Sequence, residues 1–251
     1  MTRTGPTAAC ALQIEEAALR AWPAAQQYLY GGWVARVSEG YTKRANSASL
    51  LYPQADADHH ANVERIEQLY RAQGLPPVFR LLSFTTPPGL DSWLAARGYR
   101  EADGTLVMSC DIGAPPPLDS SVVAMSVDEG IEAHARMINV SAEILPSHRR
   151  ILERVQGGLV FAGLVADDTL VACGLSVTDG ELVGLFDIVT DPDHRRKGHG
   201  ARLVRGMMAS AAREGAMTAY LQVVATNAPA IALYEALGFE PGYRYAYRIS
   251  G

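Results

Sequence analysis

The sequence predicts an α/β fold of the mixed-sheet (α+β) kind, built as two similar halves, each a twisted sheet flanked by helices. Three observations predict it. In the second half, apolar runs rich in β-branched residues alternate with segments whose apolar residues recur at helical spacing. Gly113-Ala114-Pro115-Pro116-Pro117 breaks the chain near its middle. Three prolines remove three backbone donors and fix φ, so this stretch is a stiff connector. A shift of 140 residues (238 − 98) lays Leu90–Tyr99 on Ala230–Phe239, with Gly98 on Gly238 and Tyr99 on Phe239. Each glycine is placed to close a short helix, and each aromatic to pack beneath that cap. The expected domains are residues 1–115 and 118–251.

Taken in order, the first half offers a strand near Ser47–Leu51, a helix near Asn62–Ala72 and the short helix that ends at Gly98. In the second half Val122–Val127 reads as a strand, and Asp128 is placed to cap a helix running to about Ser141. Pro146–Val155 reads as a further helix, closed by Gly157-Gly158. Leu159–Ala166, Leu170–Val177 and Glu181–Thr190 form a meander, with Asp167-Asp168 and Asp179-Gly180 as turns. Beyond Gly200, Leu203, Val204, Met207, Met208 and Ala211 recur at helical spacing. A strand at Ala219–Val224, a helix over Asn227–Leu237 and a strand at Tyr243–Ile249 complete the chain. This mixture excludes an all-β sandwich and a helical bundle.

The chain has 251 residues, with 22 Lys+Arg against 27 Asp+Glu and a net charge of -5. The mild acidity argues against nucleic acid as a partner, since that needs a net basic face. Cys10, Cys110 and Cys173 are too far apart for a zinc motif or a disulfide framework. Glu15 and Glu16 interrupt the first apolar stretch, so it does not read as a signal peptide. No membrane span and no metal site are expected, and the location expected is cytoplasmic.

The strongest local signal is Arg195-Arg196-Lys197-Gly198-His199-Gly200-Ala201. An apolar strand runs into it and an amphipathic helix runs out. Gly198 and Gly200 permit positive φ and close backbone approach, so successive N–H groups can converge on an anion. The helix adds its unpaired first-turn amides and the positive end of its dipole. A diphosphate is the natural guest. G-x-x-x-x-G-K-[ST] is absent, and so is a dinucleotide fingerprint with its acidic residue.

Residues 118–251 resemble the GNAT superfamily of acyl-CoA-dependent N-acetyltransferases. Arg195–Gly200 fits the [RQ]-x-x-G-x-[GA] loop of that family. Asn227–Phe239 fits its N-x-x-A-x-x-L-Y-x-x-x-G-F signature, with Tyr234 at the tyrosine. The first half, with Gly31-Gly32-Trp33 and Gly40–Ser47, resembles the degenerate leading domain of tandem GNAT proteins. It lacks a phosphate loop: where one would fall stands Pro53–His60, with Asp56 and Asp58 in place of basic charge. That half is expected to leave CoA unbound and to complete or cover the acceptor site.

The resemblance implies a division of roles. Ile188, Val189 and Thr190 would pair their backbone with the pantetheine arm of acetyl-CoA, as an added strand. Arg195, Arg196, Lys197, Gly198, His199, Gly200 and Ala201 would hold the pyrophosphate. Asn227 would bond the arm or simply cap its own helix. Tyr234 would protonate the departing thiolate, its plainer role being a core aromatic. Asp187 and Glu143 are the candidates to take the proton of the attacking amine, each otherwise a turn, cap or surface acid. The implied acceptor is a small amine or amino acid, with a protein amine as the alternative. A non-catalytic acyl-CoA sensor would need neither Tyr234 nor a base.

Other polar groups carry weaker expectations. His59 and His60 are adjacent and face apart on a helix, so they form no metal site. Glu64, Arg65, Glu67 and Arg71 read as a solvated helical face. Tyr243, Tyr245 and Tyr247 share one strand face, in the core or lining the acceptor pocket. His134 and His148 can titrate near neutrality, and no motif ties either to the site.

Overall fold

The computed structural model describes residues 8–55, 57–114 and 117–251. Asp56, Pro115 and Pro116 therefore lie outside the described residues. The first half contains α1 (Ala8–Ala21), β1 (Gln26–Tyr30), β2 (Trp33–Val37), β3 (Ala48–Leu50), α2 (His59–Ala72), β4 (Val78–Leu82), α3 (Leu90–Ala96) and β5 (Arg100–Asp111). The second contains β6 (Val122–Met125), α4 (Val127–Ile138), α5 (Leu145–Leu152), β7 (Gly158–Ala166), β8 (Thr169–Asp179), β9 (Leu182–Thr190), α6 (His199–Arg213), β10 (Thr218–Val224), α7 (Ala228–Ala236) and β11 (Glu240–Ile249). The run α1-β1-β2-β3-α2-β4-α3-β5 repeats as α5-β7-β8-β9-α6-β10-α7-β11. Both halves close their last helix in the same way. Gly98 and Gly238 take φ of 87° and 90°, and the amides of Tyr99 and Phe239 reach back to the carbonyls of Leu94 and Tyr234 at 3.1 and 3.0 Å.

All strands join one mixed sheet, in the order β1-β2-β3-β4-β11-β5-β10-β9-β8-β7-β6. The last strands of the halves are exchanged. β5 lies antiparallel to β10, β11 lies antiparallel to β4, and β5 and β11 pair with each other at the centre. α1 crosses over to pack on β8 and β9. One apolar cluster accordingly mixes Ile14 and Trp22 with Phe161, Leu175, Phe186 and Tyr220. Hydrophobic burial at this junction holds the halves together.

Tyr243, Tyr245 and Tyr247 all face this shared core, and all are buried. Beneath them lies a charged group that no periodicity announces. Glu15, on the inner face of α1, and Arg80, on β4, are both fully buried and paired side by side. A second Arg80 nitrogen reaches Glu15 at 3.1 Å, and the Tyr243 hydroxyl donates to Glu15 at 2.5 Å. The Arg80 guanidinium stacks 3.6 Å from the Tyr245 ring centre.

Two local expectations are corrected. The cap of α4 is Ser126, not Asp128: its hydroxyl accepts from the Glu129 amide at 3.3 Å, and Glu129 accepts from the Ser126 amide at 2.8 Å. Asp128 instead pairs with Arg149, and Asn139, at φ 54°, stops the helix before Ser141. Glu67 is buried rather than solvated. It accepts from Tyr99 at 2.9 Å and from Arg97 and Arg71 at 3.1 and 3.0 Å, which holds its carboxyl below the usual range despite the opposing effect of burial.

Candidate active site

The site is built where β9 and β10 part. They pair in parallel only over Leu182–Leu185 and Thr218–Leu221. Beyond that, β10 stays with β5 to Val224, while β9 keeps only β8. The register of β8 against β9 slips between Cys173 and Leu175, and Asp187 sits at φ 50°. This bulge bends β9 away and turns it. On the β10 side, Ile188, Val189 and Thr190 therefore present an open strand edge. A cavity of about 640 Å³ runs along it, bounded by this edge, by Arg195–Gly200 and by Asn227, Leu233 and Tyr234.

At the far end of the cavity the chain turns into α6. Arg196 and Gly198 both adopt left-handed φ, 61° and 80°. Gly198 is the N-cap of α6 and offers no side-chain cap, so the first-turn amides have no side chain from that position over them. A Cβ on Gly198 would meet no protein atom within 4 Å, which leaves the space before it open. Arg195, Arg196 and Lys197 flank it, exposed, and His199 carries a buried Nδ1 with no hydrogen-bond partner among the described residues. Gly200 serves packing: a Cβ there would come 3.1 Å from Leu233, so it lets α6 approach α7. The contrast with the first half is chemical. At α2 the Asp58 carboxylate occupies the helix start, accepting from the Ala61 amide at 2.9 Å.

A family model described as "Probable histone acetyltransferase Rv0428c C-terminal" matches residues 9–248. The chain belongs to this acetyltransferase family. It is 32% identical over 247 residues to "Uncharacterized N-acetyltransferase YobR" of Bacillus subtilis, covering 94% of this chain and 97% of that one. Among solved structures, it is similar to a GCN5-related N-acetyltransferase from Kribbella flavida, with TM-score 0.73, 18% identity and 96% and 95% of the two chains covered. A tandem GNAT protein from the clavulanic acid biosynthesis pathway superposes with TM-score 0.64, at 17% identity, over 98% of this chain and 90% of its own. The chain is thus an acyl-CoA-dependent N-acetyltransferase with the fold of the GNAT proteins, its tandem halves merged into one sheet. No helix among the described residues is long and apolar enough to cross a membrane.

In this acetyltransferase the expected site residues fall on two sides of β9. Ile188 packs towards α6 among the residues around Leu203 and Met207, and Tyr234, on α7, is buried on that side. Burial pushes the Tyr234 phenol up to about 12, so it stays protonated at neutral pH. Asn227 caps α7, accepting from the Ala230 amide at 3.3 Å, and also lines the cavity. Glu143 is exposed in a short turn after α4.

Asp187 faces the other way, towards α4 and α5. Its Oδ2 lies 3.0 Å from Nε2 of His148, with side-chain exposures of 15% and 2%. Burial raises the Asp187 carboxyl, but His148, His134 and Arg44 outweigh it and hold the group below its ordinary range. Burial lowers His134, against the opposing pull of the Asp187 charge. Donor atoms of His134, His148 and Asp187 lie within 4.8 Å of one another, a set whose chemistry also suits a divalent metal.

The sequence reading missed His148, because its partner is 39 positions away (187 − 148) and joins it only through the bulge. It also missed the aromatic wall around the pair. Trp22 and Tyr41, both from the first half, lie 5.3 and 5.8 Å from the His148 ring. A buried aromatic and a histidine in unrelated segments leave no local signal.

Proposed function

We propose that the chain transfers acetyl from acetyl-CoA to a primary amine in a single direct step. The supporting observation is the arrangement along β9: an open edge at Ile188–Thr190 with Gly198 and the start of α6 beyond it, Tyr234 towards one face and Asp187 towards the other. Pantetheine amides pair with that edge, and the pyrophosphate rests on the α6 turn beside Arg195, Arg196 and Lys197. The acetyl carbonyl accepts from backbone amides at the bulge as charge develops on it. The acceptor reaches the thioester from the Asp187 side. The first half, residues 1–115, covers that approach, and residues 118–251 form the catalytic domain.

An alkylammonium has a pKa near 10.4 and must lose its proton before it can attack. Asp187, ionised and 3.0 Å from His148, draws that proton away through the His148 ring. Nitrogen then bonds to the acetyl carbon, the carbon–sulfur bond breaks, and the thiolate leaves. Full transfer from a phenol at about 12 to a thiolate near 8.5 is uphill by roughly 5 kcal/mol, at about 1.36 kcal/mol per unit. Tyr234 therefore stabilises the thiolate chiefly as a hydrogen-bond donor. Cys173 pairs with Val189 across the strands, but burial pushes its thiol up to about 12, so it does not carry the acyl group. Cys110 and Cys173 are buried thiols outside any disulfide, which suits the cytoplasm.

Release of free thiol from acetyl-CoA, measured over a panel of primary amines, tests this reading. Turnover with at least one amine is expected. Binding of acetyl-CoA without turnover across the panel would favour a sensor instead. Replacing Tyr234 with phenylalanine is expected to lower kcat by roughly 10–100-fold while leaving acetyl-CoA affinity unchanged, as for a donor that acts in the transition state. Undiminished kcat would remove Tyr234 from the mechanism.

A further inference from the structure

The segment Gly40–Ser47, in the first half, is tied down more firmly than a covering loop requires. The Asn46 side-chain amide donates to the carbonyls of Ser38, Tyr41 and Thr42 at 3.1, 2.8 and 2.9 Å, and its oxygen accepts from the amides of Ser38 and Gly40 at 2.6 and 3.1 Å. Trp22 donates to the Thr42 hydroxyl at 3.0 Å. Buried Arg36 donates to the Arg44 carbonyl at 2.8 Å. All this fixes one side chain, Arg44, over the Trp22 and Phe186 rings at 4.8 and 5.4 Å.

Phe186 immediately precedes Asp187, so Arg44 reaches from the first half to the acceptor side of β9. Its Nη1 is buried and has no hydrogen-bond partner among the described residues. A buried guanidinium nitrogen left without an acceptor is costly. The surrounding charges leave it unanswered. Arg36, Arg44 and Arg80 gather at this junction, where Glu15 is taken by Arg80 and Tyr243 and Asp187 by His148. The junction is short of one anion. Arg44 and Asp187 are opposite charges on the same side of β9, and Arg44 is one of the groups that hold the Asp187 carboxyl down.

We propose that Arg44 binds the carboxylate of the acceptor, so that the amine acetylated is that of a free amino acid. The ammonium of a zwitterion faces Asp187 and its carboxylate faces Arg44, a planar fork suited to that group. This rests on the direct-transfer reading above and names its substrate class.

The test compares amino acids with their decarboxylated partners: alanine with ethylamine, lysine with cadaverine, phenylalanine with phenethylamine. A short peptide amide with a free N-terminus is the third arm. The expected result is a kcat/KM at least about 100-fold higher for an amino acid than for its partner amine, since truncating one side of a buried charge pair costs that much or more. Arg44→Gln should remove this preference, mostly through a raised KM for the amino acid, while acetyl-CoA affinity is kept. Arg44→Lys should restore part of it, which a loss through misfolding would not allow. Equal use of amine and amino acid, preference for the peptide amide, or equal losses on both substrates in Arg44→Gln would overturn the assignment while leaving acetyl transfer standing. No turnover with any amine would overturn both.

Discussion

Glu15→Ala is expected to destabilise the protein by about 3–5 kcal/mol, the usual cost of stranding one partner of a buried ion pair. Glu15 is fully buried and is the anion against the Arg80 guanidinium and the Tyr243 hydroxyl. Without it, Arg80 remains charged in an apolar junction that also holds Arg36. Burial and the neighbouring arginines already press the Arg36 guanidinium down to about 10. For a chain of this size the midpoint of thermal unfolding should fall by roughly 6–20 °C, at about 2–4 °C per kcal/mol. The double variant Glu15→Ala, Arg80→Met should recover much of the loss, because it removes the stranded charge as well. A loss below about 1 kcal/mol in the single variant would show that the buried pair does not stabilise the shared core.

Asp187→Asn is expected to lower kcat by roughly 10²–10⁴, the range for loss of a positioned proton acceptor, with acetyl-CoA affinity unchanged. The substitution keeps shape and fits the backbone, since asparagine tolerates the left-handed φ of 50° at this position. Glu143→Gln should leave turnover as it was, because Glu143 is exposed in the turn before α5. The Asp187 carboxyl is held below its ordinary value, so it stabilises the fold above the unfolded pKa, near 3.9. That contribution is lost as pH falls through the lower folded value, and Asp187→Asn should flatten this acid limb. Asp187→Asn with more than a tenth of normal kcat would exclude Asp187 as the acceptor of the proton.

What could be read from sequence was whatever chemistry lies close together along the chain. The turn at Arg195–Gly200, the signature from Asn227 to Phe239 and the paired caps at Gly98 and Gly238 depend on local φ and short spacings. The repeat therefore stood out at these helix ends, while the element-by-element correspondence of the two halves did not. The exchange of β5 and β11 was hidden, because a strand's alternation says which face is buried but not which neighbour it takes. Glu67 looked solvated because its partners Arg97 and Tyr99 come from another helix end. Glu15 gave a faint signal, an acid within an apolar helix, that could have been read as a buried charge. His148 and Arg44 gave none, since each acquires its role from a residue of the opposite half or from the bulge at Asp187.

The central claim is that one CoA site exists per chain and that it lies at the turn into α6. Calorimetric titration with acetyl-CoA, run on the wild type and on Gly198→Val, tests it most directly. The account predicts one molecule bound per chain, and affinity at least about tenfold weaker in the variant, whose residue must adopt φ 80° at a cost of about 1–2 kcal/mol. No binding, two molecules per chain, or the same affinity in Gly198→Val would contradict it.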